Sequence, residues 1–442
     1  MTSGTSSPSV EQDHAGAETV GNKAAPGGRG ARVKRRRRLT ILTCAVVVLA
    51  VGDVLLAGMY PMPLIRAAVH CASSSSGDVR HQLGCLASGT VVKDASIRGV
   101  ELAVAKGDGS FSWAEAAGLA NPKGRTPLTA NTPIYMASVT KIYIAALVMR
   151  LSQDKLLSLD DPAAKYLPAS LIAGIDVYRG HDYSRQVTIR QLLSMTSGIP
   201  DYYEEKGKDG KTGFELFLAD PTKTWTPEET INRARTALTP HFAPGTGLYY
   251  SDTNYQLLGK VIDRVTHTTL ANALQRYDLG PLGLRHTWLT GSPEPPGLPP
   301  PAHVFDHNRD VTTVRSKDYW ADGGLVATPP DMIAFLRALN EGRLISPASL
   351  RVMQTWHNKD GSPTPPFPGS QYGLGLWRVQ MTGALSLLNG LTPTWGASGS
   401  TGSFLYYSKD RNLYVAGTIN STNSMASSFI LMGATMTLFR ST

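Results

Sequence analysis

The tetrad Ser138-Val139-Thr140-Lys141 places a hydroxyl and an amine three residues apart. On a helix that spacing sets both side chains on one face, within reach of a hydrogen bond. A serine is a weak nucleophile until a base takes its proton. A lysine serves as that base only when burial or a nearby cation lowers its pKa. The run "IYIAALVM" that follows offers burial. If Ser138 opens the helix, the unpaired N–H groups of the first turn also face a developing oxyanion. A second copy of the pattern, Ser152-Gln153-Asp154-Lys155, falls where the helix turns polar, so its lysine is expected to be solvated and protonated. Further along, "GTGLYYSDTNYQLLG" sets Tyr250, Ser251 and Asp252 just ahead of another helix. A phenol beside a lysine cation ionises more readily and can pass a proton to a leaving group. Asp252 also suits a helix N-cap.

Other chemistries fit less well. His303, Asp306 and His307 have ligand-type side chains at close spacing, but they follow a proline run and read as a surface loop rather than a metal site. The G-x-S-x-G nucleophile motif of α/β-hydrolases does not occur. No cysteine lies near the candidate nucleophile, which argues against a thiol.

These residues need elements to hold them. Residues 99–121 read as two strands joined at Gly107-Asp108-Gly109, an Asp-Gly hairpin signal. Residues 137–157 carry apolar side chains at helical spacing and predict a long, buried helix. Residues 188–203 predict a helix stopped by Gly198 and Pro200. Residues 204–245 read as polar and irregular, with one helix from Pro227. Helices are expected over 254–266 and 328–342, a hairpin over 403–420 and a closing helix after it. Strands at both ends with helices between predict one sheet made from both termini, with a helical insertion. The run "PTWGASGSTG" (393–402) is rich in small residues; ahead of a hairpin it suits a wall along which a substrate lies close to the backbone, rather than a tether.

Seven segments in order carry a family resemblance: "IYMASVTK", "LDDPAAKYLP", "TIRQLLSMTSGIPDYY", "YSDTNYQLLGKVI", "GGLVATPPDMIAFLRAL", "YGLGLW" and "GASGSTGSF". Residues from about 97 to 440 resemble the serine β-lactamase and penicillin-recognising family, on the branch with class C β-lactamases, D-alanyl-D-alanine carboxypeptidases and related esterases. The resemblance implies an α+β fold, or α/β sandwich, with a mainly antiparallel sheet flanked by helices, a helical subdomain and a cleft between them. It implies Ser138 as the acylated nucleophile, Lys141 as its base and Tyr250 as the tyrosine of the second motif. Asp252 stands there where Asn is more usual. The third motif falls on Ala397-Ser398-Gly399, and the oxyanion hole on the N–H groups of Ser138 and Ser400. Two departures matter: Ala397 replaces a basic residue that helps to hold a substrate carboxylate, and Met195 replaces a histidine. Asp252 is a smaller change, but an anion near Lys141 favours its protonated form. The implied substrate is an acyl compound (a cell-wall peptide, a β-lactam or an ester) and no cofactor is implied. Carboxypeptidase-like or esterase-like activity is expected rather than efficient β-lactam hydrolysis. The alternative is a non-catalytic binder of peptidoglycan fragments or of a partner protein.

The remainder of the chain sets the context. Of the net charge of +9, residues 1–38 hold eight Lys and Arg against three Asp and Glu. The rest is spread too thinly to track phosphates, which excludes nucleic acid as a partner. Residues 1–38 lack apolar periodicity and read as a disordered basic cytoplasmic tail. Residues 39–59, "LTILTCAVVVLAVGDVLLAGM", are long enough to span a bilayer as a helix. Asp53 costs about 3 kcal/mol near the helix centre, and eleven Leu, Ile and Val return about 0.5 kcal/mol each. Four arginines before the run hold the amino terminus in the cytoplasm. A single-pass membrane protein is expected, with a juxtamembrane segment at 60–95 and an extracytoplasmic domain at 96–442. Cys44 falls in the span; Cys71 and Cys85 lie outside it, where an oxidising compartment permits a disulfide.

Overall fold

The computed structural model describes residues 70–71, 78–93, 97–317, 320–357, 370–379, 393–423 and 425–439. The Asp-Gly turn behaves as its sequence demands: Gly109 takes a positive φ of 77°, and β1 (Gly99–Lys106) folds back on β2 (Ser112–Asn121). Six further strands complete one sheet: β3 (Thr126–Pro127), β4 (Gln371–Tyr372), β5 (Trp377–Val379), β6 (Thr394–Ser398), β7 (Phe404–Ser408) and β8 (Leu413–Thr418). Their spatial order is β4-β5-β6-β7-β8-β1-β2-β3, with antiparallel neighbours throughout. The last strand, β8, lies beside the first, with Glu101 opposite Thr418 and Lys106 opposite Leu413. The sheet is therefore closed by both ends of the domain, and the helices are inserted between them, as expected.

Five helices matter to the site: α1 (Val79–Lys93), α2 (Thr140–Gln153), α3 (Asp252–Thr266), α4 (Pro329–Asn340) and α5 (Met425–Thr437). Helices α1 and α5 cover one face of the sheet, where Phe429 meets Tyr406 with ring centroids 6.0 Å apart. The other face carries α4, whose Asn340 donates to the Tyr414 hydroxyl at 2.8 Å. Helix α2 is buried on all sides, from Thr140 to Met149. That is why its sequence shows an almost continuous apolar run instead of one stripe. Beside it, Ile134–Tyr135 and Thr287–Leu289 flank Leu325–Ala327 in a small antiparallel sheet. A separate cluster of Tyr202, Tyr203, Phe217, Ala234, Leu238 and Val314 forms the core of the helical insertion.

Two expectations change. The helix expected over 188–203 is confined to Ile189–Leu193, because Met195 adopts a left-handed φ of 61° and ends it. The region expected to hold one helix has two, Gly213–Ala219 and Pro227–Ala237. Each begins with a reciprocal capping box, Thr212 with Glu215 and Thr226 with Glu229, and the first of these was a readable signal that the polar composition hid. The apolar run 39–59 lies outside the described residues, among which no helix is long and apolar enough to cross a membrane. Cys71 and Cys85 are joined by a disulfide with Cα atoms 5.6 Å apart, which ties the segment before α1 to that helix.

Candidate active site

The strand Ile134–Tyr135 runs into a single 3-10 turn, Ala137–Val139, and then into α2. Ala137 has a φ of 45°, a left-handed conformation that costs a non-glycine residue about 1 kcal/mol. The strain turns the chain so that Ser138 faces outward. Residues 132–137 and 139–149 are all buried, and Ser138 between them is partly exposed. The same break occurs across the cleft: 394–399 and 401–408 are buried, and Ser400 is partly exposed. Two hydroxyls bind these segments together. Thr401 donates to the Tyr135 carbonyl at 2.7 Å, and Ser403 donates to the Met136 carbonyl at 2.6 Å. Gly399 completes the junction, since a Cβ there would stand 2.3 Å from the Met136 carbonyl oxygen. Among the described residues, the N–H groups of Ser138 and Ser400 make no backbone hydrogen bond. Two donors are thus held beside one hydroxyl, the arrangement an oxyanion requires.

Lys141 lies one turn below Ser138 with its side chain buried. Its ammonium donates to Ser138 Oγ at 3.0 Å and to the Asp322 carbonyl at 2.7 Å, and forms an ion pair with the Asp252 carboxylate. Its Nζ lies 5.1 Å from the centre of the Tyr250 ring and 5.5 Å from that of Tyr255. Burial alone would lower the pKa of Lys141, but Asp252, then Tyr250 and Asp322, outweigh it and hold the group well above the usual lysine range. The resting amine is therefore a cation. The Tyr250 phenol lies beside Ser138 and Lys141; burial raises its pKa, Lys141 opposes, and the net shift is upward, so it rests protonated. The cluster brings a hydroxyl, a phenol and an amine together, with the amine held as a cation by Asp252.

The predicted residues divide on placement. Ser138, Lys141, Tyr250 and Asp252 converge. The N-cap position of α3 is taken by Ser251, while Asp252 turns its carboxylate to Lys141 instead of capping. Ser400 joins the cleft through its backbone, and Gly399 through the close approach it permits. Ser398 does not: its hydroxyl lies 3.0 Å from that of Tyr406, on the sheet face that α5 covers. Ala397 is buried on the opposite face of β6. Met195 is buried and acts as an acceptor, its sulfur 3.3 Å from the Ser251 N–H and 3.4 Å from Asn254 Nδ2. Lys155 is exposed at the helix end. His303 pairs with Asp310 at 2.7 Å, while Asp306 accepts from Thr422 and Asn423; no metal-binding cluster occurs among the described residues.

Several participants were not read from the sequence. Asp322 accepts from Tyr202 at 2.6 Å and from Gln256 at 3.0 Å, and burial followed by Asp252 raises its carboxyl to about 6. Trp377 stacks on Tyr250 at 5.8 Å, and Tyr372 meets both rings edge-on. Glu204 is exposed to solvent at the cleft, yet burial by the surrounding walls and the nearby Asp252 raise it to about 7, against Lys141 and Arg315. Arg315, almost fully buried, donates from Nη1 to Ser400 Oγ at 3.1 Å. Tyr372 and Trp377 sit in the segment "YGLGLW", whose aromatics were the available signal. For Asp322 and Arg315 there was none, because they arrive through long-range topology.

Comparison with known proteins agrees with this geometry. Residues 87–431 match the protein family described as Beta-lactamase. Protein flp of Staphylococcus aureus (strain MW2) is 31% identical over 156 residues, 35% of this chain and 28% of its own length. A D-aminopeptidase of Brucella anthropi is 28% identical over 292 residues, 63% of this chain and 49% of its own length. The matches to these curated relatives therefore span half of their length or less. The crystal structure of a D-stereospecific amidohydrolase from Streptomyces sp. superposes with a TM-score of 0.59 and 27% identity, covering 75% of this chain and 93% of that one.

Proposed function

We propose, on the premise that this chain belongs to the Beta-lactamase family, that it is a serine hydrolase that cleaves amides or esters through an acyl-enzyme on Ser138. One observation carries the reading: Ser138 Oγ stands 3.0 Å from a buried lysine amine, beside two N–H groups that make no backbone hydrogen bond among the described residues. Ser138 Oγ attacks the acyl carbonyl, whose oxygen is received by the N–H groups of Ser138 and Ser400. For the attack, Lys141 passes a proton to Asp252 and takes the one leaving Ser138. Tyr250, in contact with both, delivers a proton to the departing nitrogen or oxygen. The names of the Brucella and Streptomyces relatives point to acyl donors built on D-amino acids. The buried Ala397, in place of a cation, favours carboxypeptidase-like or esterase-like turnover over efficient β-lactam hydrolysis.

The test is covalent capture. The full chain is incubated with a fluorophosphonate and with a fluorescent penicillin, beside Ser138→Ala. Wild type is expected to take up the fluorophosphonate and the variant neither. Label on Ser138→Ala removes the nucleophile assignment. A wild type that takes up neither probe favours the second reading, a binder of peptidoglycan fragments or of a partner; the masked base supports that reading. We also infer that residues 39–59 anchor the chain in a membrane with the hydrolase outside the cytoplasm, supported by the apolar run and the arginines ahead of it. Release of the full chain from membranes by alkaline washing would speak against the anchor.

A further inference from the structure

The helical insertion carries a cavity that the catalytic cluster does not use. It has a volume of about 700 Å³ and is lined by residues 166–171, the helix Pro227–Ala237 and the second half of α3. That volume suits a small organic molecule. None of its lining residues belongs to the cluster at Ser138, and Lys260 stands eight residues beyond Asp252, about 12 Å along α3. Leu167, Leu171 and Ile231 are buried and give the cavity an apolar wall. The charged side chains around them are equal in number but unequally partnered. Glu228 and Asp263 pair with Lys260 at 2.8 and 3.3 Å, and Glu229 pairs with Lys223 at 2.9 Å. Each lining carboxylate therefore already faces an ammonium. The guanidinium groups do not have such partners. Arg235 donates to neutral oxygens, the Ser170 carbonyl at 2.8 Å and the Asn232 side chain. Arg264 is exposed, with no ion pair or hydrogen bond among the described residues. A guanidinium fork matches an anionic head, and an apolar wall matches the body behind it.

We propose that this cavity is a second ligand site, distinct from the cleft at Ser138, and that it takes an organic anion with an apolar body. Arg235 and Arg264 hold the head, while Leu167, Leu171 and Ile231 cover the body. Both parts are needed. A bare anion gains no apolar burial and meets the carboxylates of the rim. A neutral apolar molecule leaves the two guanidinium groups without an anion. The inference does not rest on the acyl-enzyme reading and survives its failure.

Three probes test it with the full chain by ligand-observed NMR titration: phenylbutanoate, its amide, which keeps only the body, and acetate, which keeps only the charge. Phenylbutanoate is expected to bind with a Kd of about 1 mM, as suits a ligand of its size. The amide and acetate should each bind about tenfold more weakly, and added salt should weaken phenylbutanoate towards the amide. Arg264→Glu, at an exposed position, should lower the affinity for phenylbutanoate by about tenfold, and Arg235→Gln by a similar factor. A diazirine derivative of phenylbutanoate should mark residues 166–171, 228–235 or 260–264, and should do so equally in Ser138→Ala. Label confined to the segments around Ser138 and Ser400 would put the anion in the catalytic cleft and overturn the inference. Equal affinity for phenylbutanoate and its amide overturns it too, as does an Arg264→Glu protein that binds like wild type. No binding of phenylbutanoate up to about 10 mM has the same consequence. If Arg235→Gln does not fold, Arg264→Glu and the labelling pattern decide.

Discussion

One carboxylate, Asp252, sets the charge state of the nucleophile's neighbours. Its ion pair with Lys141 keeps the amine protonated, so deprotonation of Ser138 must wait for a proton to cross that pair. Asp252→Asn removes the anion, and the pKa of the buried amine should fall because burial then acts with less opposition. Labelling of Ser138 by a fluorophosphonate should become about tenfold faster near pH 8, with its rise displaced to lower pH. A profile that is unchanged or slower would mean that receiving the Lys141 proton matters more than masking the base, and that Asp252 is a net aid to acylation. Glu204 adds a second titration. Its carboxyl, raised to about 7 by burial and Asp252, gains a negative charge beside the cleft as pH passes that value. Acylation by carboxylate-bearing donors should therefore decline between about pH 6 and 8, and Glu204→Gln should flatten the decline. A decline that survives the substitution assigns it to another group.

At the scale of elements, the site depends on a close approach to α2. Gly375, with a φ of 76°, lies against α2 so tightly that a Cβ would stand 2.4 Å from the Ala145 Cβ and 3.0 Å from the Lys141 carbonyl. Gly375→Ala is expected to cost about 2–4 kcal/mol, from overpacking plus a left-handed alanine, read as a shift in the denaturant midpoint. A variant as stable as wild type would show that the "YGLGLW" segment can lift away from α2. This division also explains what the sequence disclosed. Ser138 and Lys141 were legible because three residues on one helix fix their contact. The paired terminal strands and α2 were legible because their apolar periods are strong. Met195 stopped a helix through a backbone angle that methionine does not advertise, and Thr212 with Glu215 capped a helix inside a stretch dismissed for its polarity. Asp322 and Arg315 come to the cleft from segments far from the motifs they touch, so local spacing held no trace of them. The stretch read as the third motif lies on β6 and the turn after it, and alternation along that strand sends the Ser398 hydroxyl to Tyr406, on the far side of the sheet.

Across the described residues, several carboxyl groups are buried. Burial holds Glu101, Asp201 and Asp278 well above the ordinary range and raises Asp176 to about 7 and Asp322 to about 6. Asp176 is fully buried, and neither of its carboxylate oxygens has a partner among the described residues. In the unfolded chain such groups ionise near pH 4. Between about pH 4 and their folded pKa values the native state therefore binds more protons than the unfolded state, and stability must fall as pH rises through that interval. The carboxylates that act in the other direction, such as Asp160 with Arg190 and Asp310 with Thr312 and His303, have lowered pKa values, so their contribution is lost only at more acid pH. The raised group governs the interval around neutrality. Thermal unfolding should accordingly show a Tm several degrees higher at about pH 5.5 than at about pH 8. Asp176→Asn, which removes the charge without changing the shape, should raise the Tm at the higher pH and reduce the difference between the two. A Tm that is level or climbs from the lower pH to the higher would mean that these carboxyls are hydrated or paired in solution, and that the acidic residues around Lys141 do not share the low-dielectric setting on which the masking of the base depends.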